Sequence, residues 1–189
     1  MAGPLIRQCC EAFLASFKVW NVATVGGNIC MSLPAGTMIS LSVALDGVYA
    51  IRSSEGVERR VPAHEFVIGD HQNILKLGDL LHSIELPVAA LKRRTAFRKM
   101  SLMRLGRSTA LLIGTQQDER FSMTVSAATV HPVKLDFDTV PDARSLRERL
   151  NETIPDPLYH DDVHGTPQYR KHLTHYFADG IREELGGSR

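Results

Sequence analysis

Val22-Ala23-Thr24-Val25-Gly26-Gly27-Asn28-Ile29-Cys30-Met31-Ser32-Leu33-Pro34-Ala35-Gly36-Thr37 is the stretch on which the reading of this chain turns. It opens as an apolar, strand-like run that ends in two glycines and an asparagine. A short apolar link, Pro34-Ala35-Gly36 and a helix over about residues 37–45 follow. Without a Cβ, Gly26 and Gly27 let a ligand approach the main chain, and both take φ > 0 at little steric cost. Successive N–H groups in such a turn form an anion-binding concavity, and a helix N-terminus just downstream adds a favourable dipole end. The combination suits a diphosphate. The same Gly-Gly pair also suits a bulge or tight turn with no ligand.

Working outward, residues 4–17 place Leu5, Ile6, Cys9, Phe13, Leu14 and Phe17 at helical spacing, with Pro4 fitting the first turn. Trp20, the single tryptophan, is expected to pack under the glycine loop. Downstream of residue 45, Asp46-Gly47 makes a turn, and residues 48–51 and 57–61 read as strands about the turn at 53–56. Residues 63–67 suit one helical turn. Residues 80–86 form a third strand, ended by Pro87. The basic cluster Lys92-Arg93-Arg94 marks a boundary between residues 1–90 and 91–189. It has no interleaved aromatics, which argues against nucleic-acid binding.

Beyond the boundary, residues 95–102 and 121–130 read as strands, residues 108–115 as a strand or short helix, and residues 141–151 and 167–185 as helices. Asp142 and Thr166 suit their N-caps, and Pro167 suits a first helical position. His160, Asp161, Asp162 and His164, with His172 and His175 beyond, are the one metal-like cluster. Aspartates ahead of a helix favour capping, and the helical histidines lie three apart rather than four, so no metal site is expected.

Composition bounds the rest. The chain has 189 residues, 43% hydrophobic and 23% charged, with net charge +1. That is ordinary for a globular protein of one core or two small domains, and it implies no polyanionic partner. No apolar run approaches the ~20 residues of a membrane span, and the N-terminus lacks the pattern of a secretory leader, so the simplest compartment is the cytoplasm. Cys9, Cys10 and Cys30 give neither a disulfide framework nor zinc spacing. They fall short of the four thiolates a [2Fe–2S] cluster usually takes.

The run Val22 to Asn28 with Pro34-Ala35-Gly36 resembles the second half of the FAD-binding domain of the molybdenum hydroxylases, whose pattern is Ala-Thr/Ser-x-Gly-Gly-Asn, then Ser-Pro and a helix start bearing Asp. Leu80-Leu81-His82-Ser83-Ile84-Glu85-Leu86-Pro87 resembles the strand closing that domain, and Phe97-Arg98-Lys99 the opening of the next. Ala127 to Val133 resembles a segment of the family's C-terminal domain. Asp162-Val163-His164-Gly165-Thr166 with Tyr169-Arg170 resembles the segment that packs its C-terminal helices.

The resemblance implies an α+β fold. Residues 1–90 would be the second subdomain of a PCMH-type FAD-binding domain, with a mixed sheet. Residues 91–189 would be a three-stranded antiparallel sheet with packed helices. It implies an oxidoreductase subunit that carries FAD and no catalytic side chain of its own. Electrons would come from [2Fe–2S] clusters on a small subunit, fed by a molybdenum–pterin large subunit, and leave to an acceptor. Thr24, Gly26, Gly27 and Asn28 would grip the diphosphate and ribitol, Leu81 would border the flavin, and Arg98 would approach its ring. Thr37 stands where the pattern has an adenosine-holding Asp, and Leu33 replaces the serine before proline. In the family a subdomain with an Ala-Gly-Gly-Thr-Asp-like loop precedes this region. The chain is therefore expected to need a separate N-terminal FAD subdomain for tight binding. The other reading is a truncated, non-catalytic assembly module with a vestigial flavin site.

Overall fold

The computed structural model describes residues 2–14, 16–103 and 106–187. Helix α1, Gly3–Ala12, carries Pro4 in its first turn and buries Leu5, Cys9 and Ala12 on one stripe. It is shorter than the expected span of 4–17. Its stripe ends at Ala12, Phe13 turns extended, and Ser16 caps a separate single turn, α2, Phe17–Trp20. Helix α3, Val25–Met31, contains both glycines of the loop. Helix α4, Thr37–Ala44, follows, and all eight of its residues are buried.

Strands β1 (Val48–Arg52), β2 (Glu58–Pro62) and β5 (Leu80–Glu85) form a sheet of order β2-β1-β5. A single turn, α5 (Ala63–Phe66), leads into the short ladder of β3 (Val67–Gly69) and β4 (Gln72–Asn73). Every pairing in this half is antiparallel. The expected mixed sheet is therefore corrected: a tight turn brings β2 back along one edge of β1, and β5 pairs antiparallel along the other edge.

After α6 (Val88–Leu91), strands β6 (Arg94–Met100), β7 (Ala110–Gln117), β8 (Arg120–Ser126) and β9 (Val133–Phe137) make an antiparallel sheet of four in sequential order. Three strands were expected. The fourth, β9, alternates inward Val133, Leu135 and Phe137 with outward Lys134 and Asp136, the pattern of a strand buried on one face. Helix α8 (Pro167–Gly186) lies over β6 and β7, and α7 (Ala143–Thr153) packs on β9 and α8, both on one face as expected. Asp142 accepts a hydrogen bond from Ser145 N at 2.8 Å and Thr166 one from Tyr169 N at 3.3 Å, so both expected caps form.

The opposite face of this sheet takes α4 and α1. Leu111 and Ile113 therefore share a core with Leu5, Ile29, Leu45, Tyr49 and Ile51, whereas Leu112 packs with Phe121, Met123, Leu150 and Ile181. Successive side chains of one strand thus feed two cores. Gly114 faces α8 at contact: a Cβ there would stand 2.2 Å from Ile181 Cγ2.

Arg170, on α8, is 1% exposed. Its Nη1 donates to Thr109 O and Ala127 O, each at 2.5 Å, its Nε donates to Gly165 O at 3.0 Å, and its Nη2 pairs with the Asp162 carboxylate. Asp162 Oδ1 also accepts His164 N at 2.8 Å. The carboxylate of the metal-like cluster is thus committed to a cation and a backbone donor. Burial alone would raise the Asp162 pKa, but His164 N–H and Arg170 outweigh it and hold the carboxyl below its usual range. Asp46 behaves alike: burial opposes its ionisation, and Lys134 and Arg93, each at 2.6 Å, overcome that. Ala127 sits at φ 60°, a left-handed conformation that costs a non-glycine residue energy, and the hydrogen bonds on both of its sides hold it there.

Two outcomes follow from this packing. Gly114→Ala should destabilise the chain by about 1–3 kcal/mol through overpacking against Ile181, read as a lower urea midpoint. Both carboxylates have depressed pKa values, so their stabilisation is full above the unfolded carboxylate value of ~3.9 and is lost as pH falls through the lower folded values. Asp162→Asn should therefore flatten the acid limb of a stability-against-pH curve, and it should lower stability at neutral pH because Arg170 stays buried without its counter-charge.

Candidate flavin site

Thr24, not a glycine, starts the site. Its extended backbone precedes α3, and its Oγ1 accepts Gly27 N at 3.0 Å, an N-cap. The expected strand ending in a positive-φ Gly-Gly turn is thereby corrected. Gly26 and Gly27 lie in the first helical turn, and neither has positive φ. Glycine there serves close approach. A Cβ on Gly26 would meet nothing within 4 Å, and one on Gly27 would press on Thr24 Oγ1 at 2.9 Å. The N–H groups of Val25 and Gly26 find no acceptor among the described residues. They are the ordinary orphan donors of a helix start.

Asn28 ties this turn to the next helix. Its Oδ1 accepts Met38 N at 3.1 Å, so the Gly-Gly-Asn motif caps α4 from ten residues upstream. Thr37, the first residue of α4, is 1% exposed, and its hydroxyl has no partner among the described residues. The departure from Asp thus points inward under the loop. Met38 also reaches the cleft above, which Cys10, Phe13, Trp20, Thr24, Val25 and Asn28 line with it. Trp20 stacks obliquely on Phe13, ring centroids 6.3 Å apart, but remains 47% exposed. It borders the cleft and does not pack under it. Phe17, Val19 and Val22 beside it are exposed as well.

Thr24, Gly26, Gly27, Asn28 and Thr37 therefore come together. Leu81, half-buried on β5, packs into the core that α3 also joins, and β5 runs against α3. Arg98 is elsewhere. It stands on the α8 side of β6, with Nη2 on Glu184 Oε2 at 2.6 Å and Nη1 on Phe97 O at 3.0 Å. Sequence reasoning missed Cys10 and Phe13 as lining residues; their place at the exposed end of a helix that stops early was the available signal.

The donor set fits a flavin dinucleotide. Free main-chain N–H groups on an open glycine backbone suit a diphosphate, and an apolar rim of Phe13, Trp20 and Val25 suits a large aromatic group whose other parts are polar.

Residues 3–89 match the family described as FAD binding domain in molybdopterin dehydrogenase. The chain is similar to xanthine dehydrogenase of Oryza sativa subsp. japonica, 34% identical over 84 residues, covering 41% of this chain and 6% of that protein. It is similar to caffeine dehydrogenase subunit beta of Pseudomonas sp. (strain CBB1), 31% identical over 98 residues, 52% of this chain and 33% of that one. The chain thus spans a third or less of the length of these relatives. Its fold matches a chain of quinoline 2-oxidoreductase from Pseudomonas putida 86, with TM-score 0.76 at 17% identity over 97% of this chain and 67% of that chain. Residues 3–89, with Thr24, Gly26, Gly27 and Asn28 at their open edge, are thus similar to the FAD-binding domain of the molybdopterin dehydrogenases.

Proposed function

We propose that this chain is part of the electron-transfer flavoprotein of a molybdopterin-dependent dehydrogenase. In that assembly a small organic substrate is oxidised at a molybdenum–pterin centre on a large subunit. Electrons travel through [2Fe–2S] clusters on a small subunit and leave through FAD to an acceptor. The observation that carries the proposal is the open, glycine-backed start of α3 inside the matched segment. The relatives' names, xanthine and caffeine dehydrogenase, support the reaction class.

When bound, FAD supplies the electron relay between the clusters and the acceptor. The chain's own residues bind and orient it. Val25 and Gly26 N–H donate to the diphosphate, Thr24 keeps the turn in shape through Gly27, and Asn28 locks the start of α4 beneath. Phe13, Trp20 and Val25 exclude water from one side. Leu81 supplies apolar backing from β5. Arg98 would have to leave Glu184 to reach the ring. Among the described residues no helix is long and apolar enough to cross a membrane.

Gly26→Val separates site from fold. Its side chain enters open space, and replacing glycine in a helix raises stability when nothing clashes. The expected result is lower flavin absorbance per chain in the purified complex, with thermal stability equal or higher. Undiminished flavin in this variant would remove the α3 start from the site. Gly27→Val should lower both quantities, since it disturbs the Thr24 cap. Asn28→Ala should cost about 1 kcal/mol of stability for the lost α4 cap and also reduce flavin content.

A further inference from the structure

Helix α4 ends at Ala44, short of the outer ends of β7, β8 and β9, and the sheet face it covers continues beyond it. A cleft of about 1340 Å³ opens there, on the side of the sheet away from α8, bounded by the β7–β8 hairpin and the segment leading into α7. It is larger than the roughly 300–1,000 Å³ of small-molecule sites, which points to a chain segment as its occupant. Its charges are partly spent. Asp46 is held by Arg93 and Lys134, and Lys134 also pairs with Asp136 at 3.0 Å. Asp118 and Asp138 also line it, exposed, and make no ion pair or side-chain hydrogen bond among the described residues. Arg93 and Lys134 are paired, so among the described residues Arg120 is the one cation of the lining without an ion pair, and the uncommitted charge is acidic. A second, independent observation concerns Thr115, which lines the same cleft. It is 2% exposed, and its hydroxyl has no partner among the described residues. A buried hydroxyl left unmatched costs free energy that a donor from a bound chain would recover.

We propose that this cleft receives a Lys- or Arg-bearing segment of a partner chain, with Asp118 and Asp138 taking its cationic groups and Thr115 accepting a hydrogen bond at the floor. The proposal is independent of the flavin reading. The test uses the 189-residue chain and a fluorescein-labelled peptide of alternating lysine and serine, read by fluorescence anisotropy at low salt, with a glutamine–serine peptide as control. Asp118 lies at φ 54°, which asparagine also tolerates, so Asp118→Asn with Asp138→Asn leaves the fold intact. That double variant should bind the basic peptide about fivefold more weakly, as expected for two exposed ion pairs. Arg120→Ala should bind it more tightly, and Glu55→Gln, on the distant β1–β2 turn, should bind it as the parent does. Equal affinity in the double variant, or an equal loss in Glu55→Gln, would overturn the proposal. So would tighter binding of spermine than of the peptide, which would make the occupant a free polyamine.

Discussion

The buried guanidinium of Arg170 ties together the loops of the second half of this chain on which the start of α4 rests. A cation taken out of water is tolerable only when a counter-charge and hydrogen-bond acceptors surround it. Arg170 has the Asp162 carboxylate and three main-chain carbonyls, at Thr109, Ala127 and Gly165. Each acceptor belongs to a different piece: the entry to β7, the exit of β8, and the loop ahead of α8. Burial works to lower the pKa of Arg170, and the Asp162 charge opposes that. A guanidinium nevertheless stays charged, so the site is a permanent ion pair that fixes backbone.

From there the constraint passes to the start of α3, the proposed flavin edge, in two steps. Ala127, held at its carbonyl by Arg170, donates its N–H to Pro34 O at 2.8 Å. Pro34 lies between α3 and α4. One turn on, the hydroxyls of Ser40 and Ser126 meet at 2.6 Å, so α4 is pinned to β8 by a polar contact inside the core. Ser40 also donates to Gly36 O at 3.1 Å, so the hydroxyl of this buried serine is satisfied locally. The position of α4 then sets Met38 N, to which Asn28 is bound, and so the start of α3. The turn proposed to face the flavin is thus supported on rigid elements, as a binding site requires.

Much of this was legible in the residues. Thr166-Pro167 and Asp142 announced their helices because capping chemistry is local. The Asp162-to-Arg170 segment was legible as packing, and the ion pair is why. The glycine loop was legible as a site but not in its form. Two glycines weaken a helix by about 1 kcal/mol each relative to alanine, so Val25 to Met31 does not look helical. Thr24 capping Gly27 and buried Ile29 outweigh that deficit. β9 was missed although Val133, Leu135 and Phe137 alternate, because five residues after Pro132 give a short signal. The link between Asn28 and Met38 and the turning of Thr37 inward are tertiary facts with no local pattern. Arg98 shows the same limit. Strand parity decides its face, and register with β7 places it toward α8.

The central claim is that the chain's cofactor-facing element is the segment from Thr24 to Met38, held in place from Arg170 through Ala127 and Pro34. Amide hydrogen exchange of the intact complex, compared between flavin-loaded and flavin-stripped forms, tests it most directly. The account predicts added protection concentrated at Val25, Gly26 and Gly27, extending to the first turn of α4, with little change along β6 around Arg98. Protection centred on Arg98 and α8, with residues 24–38 unchanged, would contradict it.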